Sequence, residues 1–143
     1  MEYRQKWNLK LSILKNGANP NAQDFDGNTS LHLAAGANDL VILKSLVENP
    51  YNENKGNIKA VNEYGWSVLH SAASGIINNN LEDWKVVEWL LERLIKEEVD
   101  LSLIKDQDGY SVEDVFLQKD WSYLKHYQEL LKKVLVTCNI KVT

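Results

Sequence analysis

Apolar residues return every three or four positions along three stretches of the chain. Leu40, Ile42, Leu43, Leu46 and Val47 make the first stripe. Trp84, Val87, Leu90, Leu91 and Leu94 make the second, and Leu124, Tyr127, Leu130, Leu131 and Val134 the third. These offsets put each set on one side of a helix, so each stretch predicts an amphipathic helix. Trp7, Leu9, Leu11 and Leu14 follow the period less cleanly, and the pattern does not fix the ends of that helix. Ala34 with Ala35, and Ala72 with Ala73, lie in shorter helical stretches before the first two stripes. Their small side chains let a neighbouring helix approach closely.

Glycines punctuate this pattern at matching places. Asp26-Gly27-Asn28-Thr29-Ser30-Leu31-His32-Leu33-Ala34-Ala35 is followed by Tyr64-Gly65-Trp66-Ser67-Val68-Leu69-His70-Ser71-Ala72-Ala73. A more degenerate Asp108-Gly109-Tyr110-Ser111-Val112-Glu113-Asp114-Val115-Phe116 comes third. Gly65 follows Gly27 by 38 residues and Gly109 follows Gly65 by 44. Self-similarity at this period indicates stacked repeats. Thr29, Ser67 and Ser111 are placed to cap the short helices. Gly27, Gly65 and Gly109 are placed where a tight turn needs positive φ, and Gly17 where a preceding helix would end.

These motifs resemble the ankyrin repeat, a turn plus two antiparallel helices with a Thr-Pro-Leu-His-x-Ala signature. The matches are Thr29-Ser30-Leu31-His32-Leu33-Ala34-Ala35 and Ser67-Val68-Leu69-His70-Ser71-Ala72-Ala73. Leu14-Lys15-Asn16-Gly17-Ala18-Asn19-Pro20-Asn21-Ala22-Gln23-Asp24 is similar to the family's end-of-repeat stretch. The resemblance covers roughly residues 4–135 and implies an all-α fold, a single-domain solenoid of stacked helix-turn-helix units over 1–143. The units are expected at about 1–23, 24–61, 62–105 and 106–135, with a tail at 136–143. The first reads as a second helix alone, which points to a fragment of a longer protein or an atypical N-terminal cap. The last reads as a cap with a polar outer face.

The departures are specific. Ser30 and Val68 replace the signature proline, and Asn38-Asp39 replaces the Gly-His between helices in the first full repeat. The added length is expected in three places: a longer loop at Glu48 to Lys59, an irregular insertion loop at Gly75 to Asn80, and a longer second helix around Arg93 to Glu98.

Composition narrows the function. Lys+Arg is 16 against Asp+Glu 20, a net charge of -4, so a nucleic-acid partner is not expected. Met1-Glu2-Tyr3-Arg4-Gln5-Lys6 lacks the apolar core expected of a signal peptide, and no apolar run reaches the about 18 residues of a membrane helix. The lone Cys138 allows no internal disulfide and fits a reducing, cytoplasmic compartment. Cys138 with His126 has no orienting group or oxyanion loop beside it, and reads as an incidental thiol. Asp106-Gln107-Asp108-Gly109 lacks the remaining ligands of a calcium loop, and three scattered histidines make no metal site. No phosphate-binding loop or dinucleotide fingerprint is present, so neither catalysis nor a cofactor is expected. The resemblance gives His32 and His70 a structural role, fixing the helix start through Thr29 and Ser67.

What remains is binding. The resemblance implies a protein partner held on the concave surface of turn tips and first helices. The tips match Phe25, Asp26 and Asn28, then Glu63, Tyr64 and Trp66, then Gln107, Asp108 and Tyr110, with Gly36, Ala37, Ser74 and Gly75 behind them. Trp66 and Tyr110 are either binding anchors or side chains packed sideways onto adjacent turns. Asp24, Asp26, Glu63, Asp106 and Asp108 make this edge acidic. That suits a basic or amphipathic segment, although aspartate is also ordinary turn chemistry. The Asn78–Asn80 insertion is a second candidate surface. Trp84 and Trp121 read as inter-repeat core, while Trp89 falls off the stripe, exposed or packed under that insertion.

Two functions fit. One is a non-catalytic, monomeric interaction module; the Asn/Lys/Ile-rich loops would suit a bacterial or viral effector acting in host cytoplasm. The other is the targeting domain of a larger effector or enzyme whose catalytic part lies elsewhere. Self-association as a scaffold is a minor third.

Overall fold

The computed structural model describes residues 19–49, 55–80 and 82–138. The Trp7–Leu14 helix, Gly17 and the middle of the Glu48–Lys59 loop lie outside them. Among the described residues six α-helices follow in order: α1 Ser30–Gly36, α2 Leu40–Glu48, α3 Val68–Asn79, α4 Lys85–Lys96, α5 Val112–Leu117 and α6 Trp121–Thr137. A short 3-10 turn spans Leu101–Leu103. Among the described residues there are no strands, only isolated bridges between Val61 and Ser67 and between Lys105 and Ser111 that close the base of two turns. This is an all-α solenoid.

The first helix of each unit pairs with the second helix after it, and the first helices α1, α3 and α5 stack in a row. Helices α4 and α6 pack side by side behind them. The stripes predicted from sequence make the core. Ile42, Leu43, Leu46 and Val47 are buried on α2, Val87, Leu90, Leu91 and Leu94 on α4, and Leu124, Tyr127, Leu130 and Val134 on α6. Each such side chain contributes about 1.5–3 kcal/mol on burial, and much of that is realised only by stacking one unit on the next. Trp84, at the start of α4, lies between the rings of Phe116 at 4.9 Å and His126 at 4.4 Å. It joins the second full unit to the last, as expected.

The helix starts follow their capping chemistry. Ser67 accepts from the His70 N–H and Ser111 from the Asp114 N–H. Asn38 stands in the left-handed conformation at φ 57, a region asparagine tolerates, and Asp39 caps α2 through the Ile42 N–H at 3.1 Å. The Asn38-Asp39 departure therefore keeps the turn while changing its residues.

Three expectations are corrected. Gly75 to Asn79 is helix, not an irregular loop: it extends α3 to 12 residues, against 7 in α1, and Asn80 ends it at φ 51. Gly75 and Ser74 carry the helix because each of Ile76 and Ile77 finds a buried site beyond them. Trp121 is 61% exposed rather than core. It occupies the first position of α6, one turn ahead of Leu124, where the packed stripe begins. Trp89 is half-buried, with the Arg93 guanidinium 6.0 Å from its ring centroid, and lies beside Glu48 and Glu92 rather than under Asn78–Asn80.

Candidate functional site

The turns are built by one repeated set of bonds. Asp24, Asn62 and Asp106 occupy the same place in three turns. The side chain of each accepts two backbone N–H groups: Asp26 and Asn28, Tyr64 and Trp66, Asp108 and Tyr110, all at 2.9 Å. Asp24 and Asp106 thus hold their own loops, an Asx-turn role. Gly27 and Gly65 follow with φ 77 and 78. A β-carbon on Gly27 would come 2.7 Å from the Glu63 nitrogen, and one on Gly65 2.8 Å from the Gln107 nitrogen.

That closeness exists because the turns bond to one another. The Glu63 N–H donates to the Asp26 carbonyl at 2.9 Å and the Gln107 N–H to the Tyr64 carbonyl at 3.0 Å. The Asn62 amide reaches Asn28 Oδ1 at 3.0 Å, the Gln107 amide reaches the Glu63 carbonyl, and Tyr64 Oη donates to Asp26 Oδ1 at 3.3 Å. Charge repulsion from Asp26, then its hydrogen bond, holds the Tyr64 phenol above its ordinary pKa.

Both repeat-motif imidazoles, His32 and His70, are engaged in this framework. His32 Nδ1 accepts from the Thr29 N–H at 3.2 Å, which places the ring proton on Nε2, where it donates to the Trp66 carbonyl at 2.9 Å. His70 repeats this with Ser67 and the Tyr110 carbonyl. Each histidine therefore caps its own helix and bonds the next turn. Burial holds the His32 imidazole below its ordinary pKa, against weaker opposition from the Trp66 bond and Asp24. In the last unit Asp114 keeps only the local half, accepting from the Ser111 N–H at 2.9 Å.

In front of the first helices the turns enclose a concavity of ≈ 740 Å³. Of the nine tip residues singled out from sequence, Asp26, Asn28, Tyr64, Trp66 and Asp108 line it; Phe25, Glu63, Gln107 and Tyr110 do not. Phe25 is fully exposed and Tyr110 is 50% exposed. All four helix positions, Gly36, Ala37, Ser74 and Gly75, form its floor. Trp66 is half-buried, its ring stacked on His70 at 6.0 Å. Sequence reasoning missed the lining by Leu33, Asn62 and Ser71. Leu33 breaks the buried pattern of α1, 41% exposed between two buried neighbours, and that phase was the available signal. Asn78 and Asn79 also line the same concavity, because the insertion is helical. The two candidate surfaces are one.

Other chemistry does not assemble. His126 and Cys138 are twelve residues apart on α6, roughly 18 Å along the axis. Among the described residues no group of His, Cys, Asp and Glu could hold a metal ion, and no helix is long and apolar enough to cross a membrane.

Among curated proteins, no sequence matches the chain. A family model for ankyrin repeats, in three copies, matches residues 4–102. The turn at Asp106–Tyr110 and the cap at Ser111 lie past that match and repeat its geometry bond for bond. Sequence match and structure agree, and the chain belongs to the ankyrin-repeat family.

Proposed function

We propose that the chain is a non-catalytic, monomeric, cytoplasmic protein-interaction module. Its partner sits in the concavity between the turn tips and the helices α1 and α3. Ankyrin repeats are generally protein-interaction modules. The observation that carries the choice of surface is the shape of this face. An open groove of ≈ 740 Å³ has a floor of Gly36, Ala37, Ser71, Ser74 and Gly75 and a wall carrying Trp66 and Tyr64. A floor of short side chains leaves room for a partner's side chains, and fixed aromatic walls are frequent anchors in interfaces. The turn-to-turn bonds and the His70 stack hold these walls in place before binding, which lowers the ordering cost of association.

The test is capture from lysate with wild type, Trp66→Ala and Ser74→Arg, each shown to be folded by circular dichroism. A partner retained by wild type and lost by both variants supports this surface. A partner kept by folded Ser74→Arg, whose long side chain would fill the groove, overturns it.

A further inference from the structure

The groove has a one-sided charge. Asp26, Asp106 and Asp108 line it, and among the described residues no lysine or arginine does. His32 also lines it, but burial disfavours its charged form. The remaining polar lining is made of amides and hydroxyls from Asn28, Asn62, Asn78, Asn79, Ser71 and Ser74, which carry no charge. Three carboxylates lining one concavity, with no counter-charge among the described residues, create a negative potential there, focused by the low-dielectric walls.

The carboxylates differ in what they already do. Asp106 is tied to the Asp108 and Tyr110 N–H groups and fixes the turn. Among the described residues, Asp26 receives only the long 3.3 Å bond from Tyr64 Oη, and the Asp108 side chain shows no hydrogen bond. Both are exposed, so both keep acceptor capacity for an incoming donor. Trp66 stands between them in the sequence of turns and lines the same space. An indole face attracts a cation and accepts the methylene stem of a long side chain.

Resting on the groove as the partner-binding face, we infer that its occupant is an extended protein segment bearing lysine or arginine. The stem of one basic side chain lies along Trp66, and separate basic head groups of the segment reach Asp26 in the first turn and Asp108 in the third. Arginine is the better fit, since its planar fork bonds carboxylates and stacks on an indole at once.

Hexa-arginine and hexalysine peptides, with hexaglutamine as the neutral control, are the probes, titrated by calorimetry at two salt concentrations. Any chain of net charge -4 attracts polycations, so the decisive comparison is between two charge-matched variants. Asp26→Asn/Asp108→Asn removes the groove carboxylates. Glu48→Gln/Glu129→Gln removes two exposed charges on second helices. The expected result is about tenfold weaker binding of the arginine peptide by the groove pair, and a change below about twofold for the helix pair. Equal losses in both pairs, or no loss in the groove pair, overturns the inference. A partner captured from lysate separates this from the wider reading. If folded Ser74→Arg loses it while Asp26→Asn/Asp108→Asn retains it at full strength, the groove stands and the basic occupant falls.

Discussion

A β-carbon on Gly75 would sit 2.2 Å from the carbonyl oxygen of Gly36. Helices α1 and α3 therefore pass close to one another here, and the two glycines lie in the floor of the groove. Helix propensity alone favours Gly75→Ala by about 1 kcal/mol. The clash is with backbone on a neighbouring helix, and overpacking of this kind costs about 1–3 kcal/mol or more. Packing wins, so Gly75→Ala is expected to destabilise. Gly36→Ala meets only an ordinary 3.6 Å contact with the Ser71 carbonyl and is expected to be neutral or slightly stabilising. Urea denaturation of the two variants checks this; equal stability of both would show that the helices separate freely.

The histidines and Asp114 offer a comparison within one motif. Asp114→Ala removes a local cap and is expected to cost about 1 kcal/mol. His70→Ala also leaves the Tyr110 carbonyl without its donor, adding about 1–3 kcal/mol. Chemical denaturation should therefore rank His70→Ala well below Asp114→Ala. Equal costs would mean that the bond to the next turn contributes nothing.

Stability should fall on mild acidification. The folded-state pKa of His32 lies below its ordinary 6.5 because of burial. Below 6.5 the unfolded chain takes up a proton that the folded chain resists, so stability is full above that pH and declines as pH drops through it toward the folded value. Asp100 and Asp120, held below 3.8 by Ser102 and Ser122, act only at lower pH, losing their contribution as pH falls from 3.8 toward their folded values. Denaturation curves at pH 7.5 and 5.0 isolate the histidine window. His32→Gln is expected to flatten the difference; an unchanged pH slope in that variant would contradict the assignment.

Two aromatic residues near the same helix junction should behave oppositely. Phe116 is fully buried between Trp84 and Tyr127, and Phe116→Ala is expected to cost about 3–5 kcal/mol. Trp121→Ala is expected to change stability by less than about 0.5 kcal/mol. A thermal melt of each suffices, and a large loss for Trp121→Ala would mean that it is packed.

Most of the fold was legible because its signals are periodic. The stripe from Ile42 to Val47 and the capping serines report local geometry that each unit repeats. Trp121 misled because it lies three residues before Leu124 and so keeps the period. Period says which side of a helix a residue occupies, not whether a neighbour reaches that far along it. Gly75 to Asn80 misled for a different reason. Glycine and asparagine are poor helix formers, yet burial of Ile76 and Ile77 outweighs their propensity. At the groove, the tip residues could be read from their place beside each glycine. Which tips face inward depends on how the turns stack, which bonds between units such as Glu63–Asp26 and Gln107–Tyr64 fix and no pattern within one unit reveals.

The most direct test of the groove as the working surface is photo-crosslinking in cells, with benzoylphenylalanine at Tyr64 on the wall, where one aromatic replaces another and the floor stays open, or at Lys132 on the exposed side of α6. The predicted result is a discrete partner adduct from Tyr64, absent from Lys132 and abolished when Trp66→Ala is added. An adduct from Lys132 with none from Tyr64 would contradict the groove as the working surface.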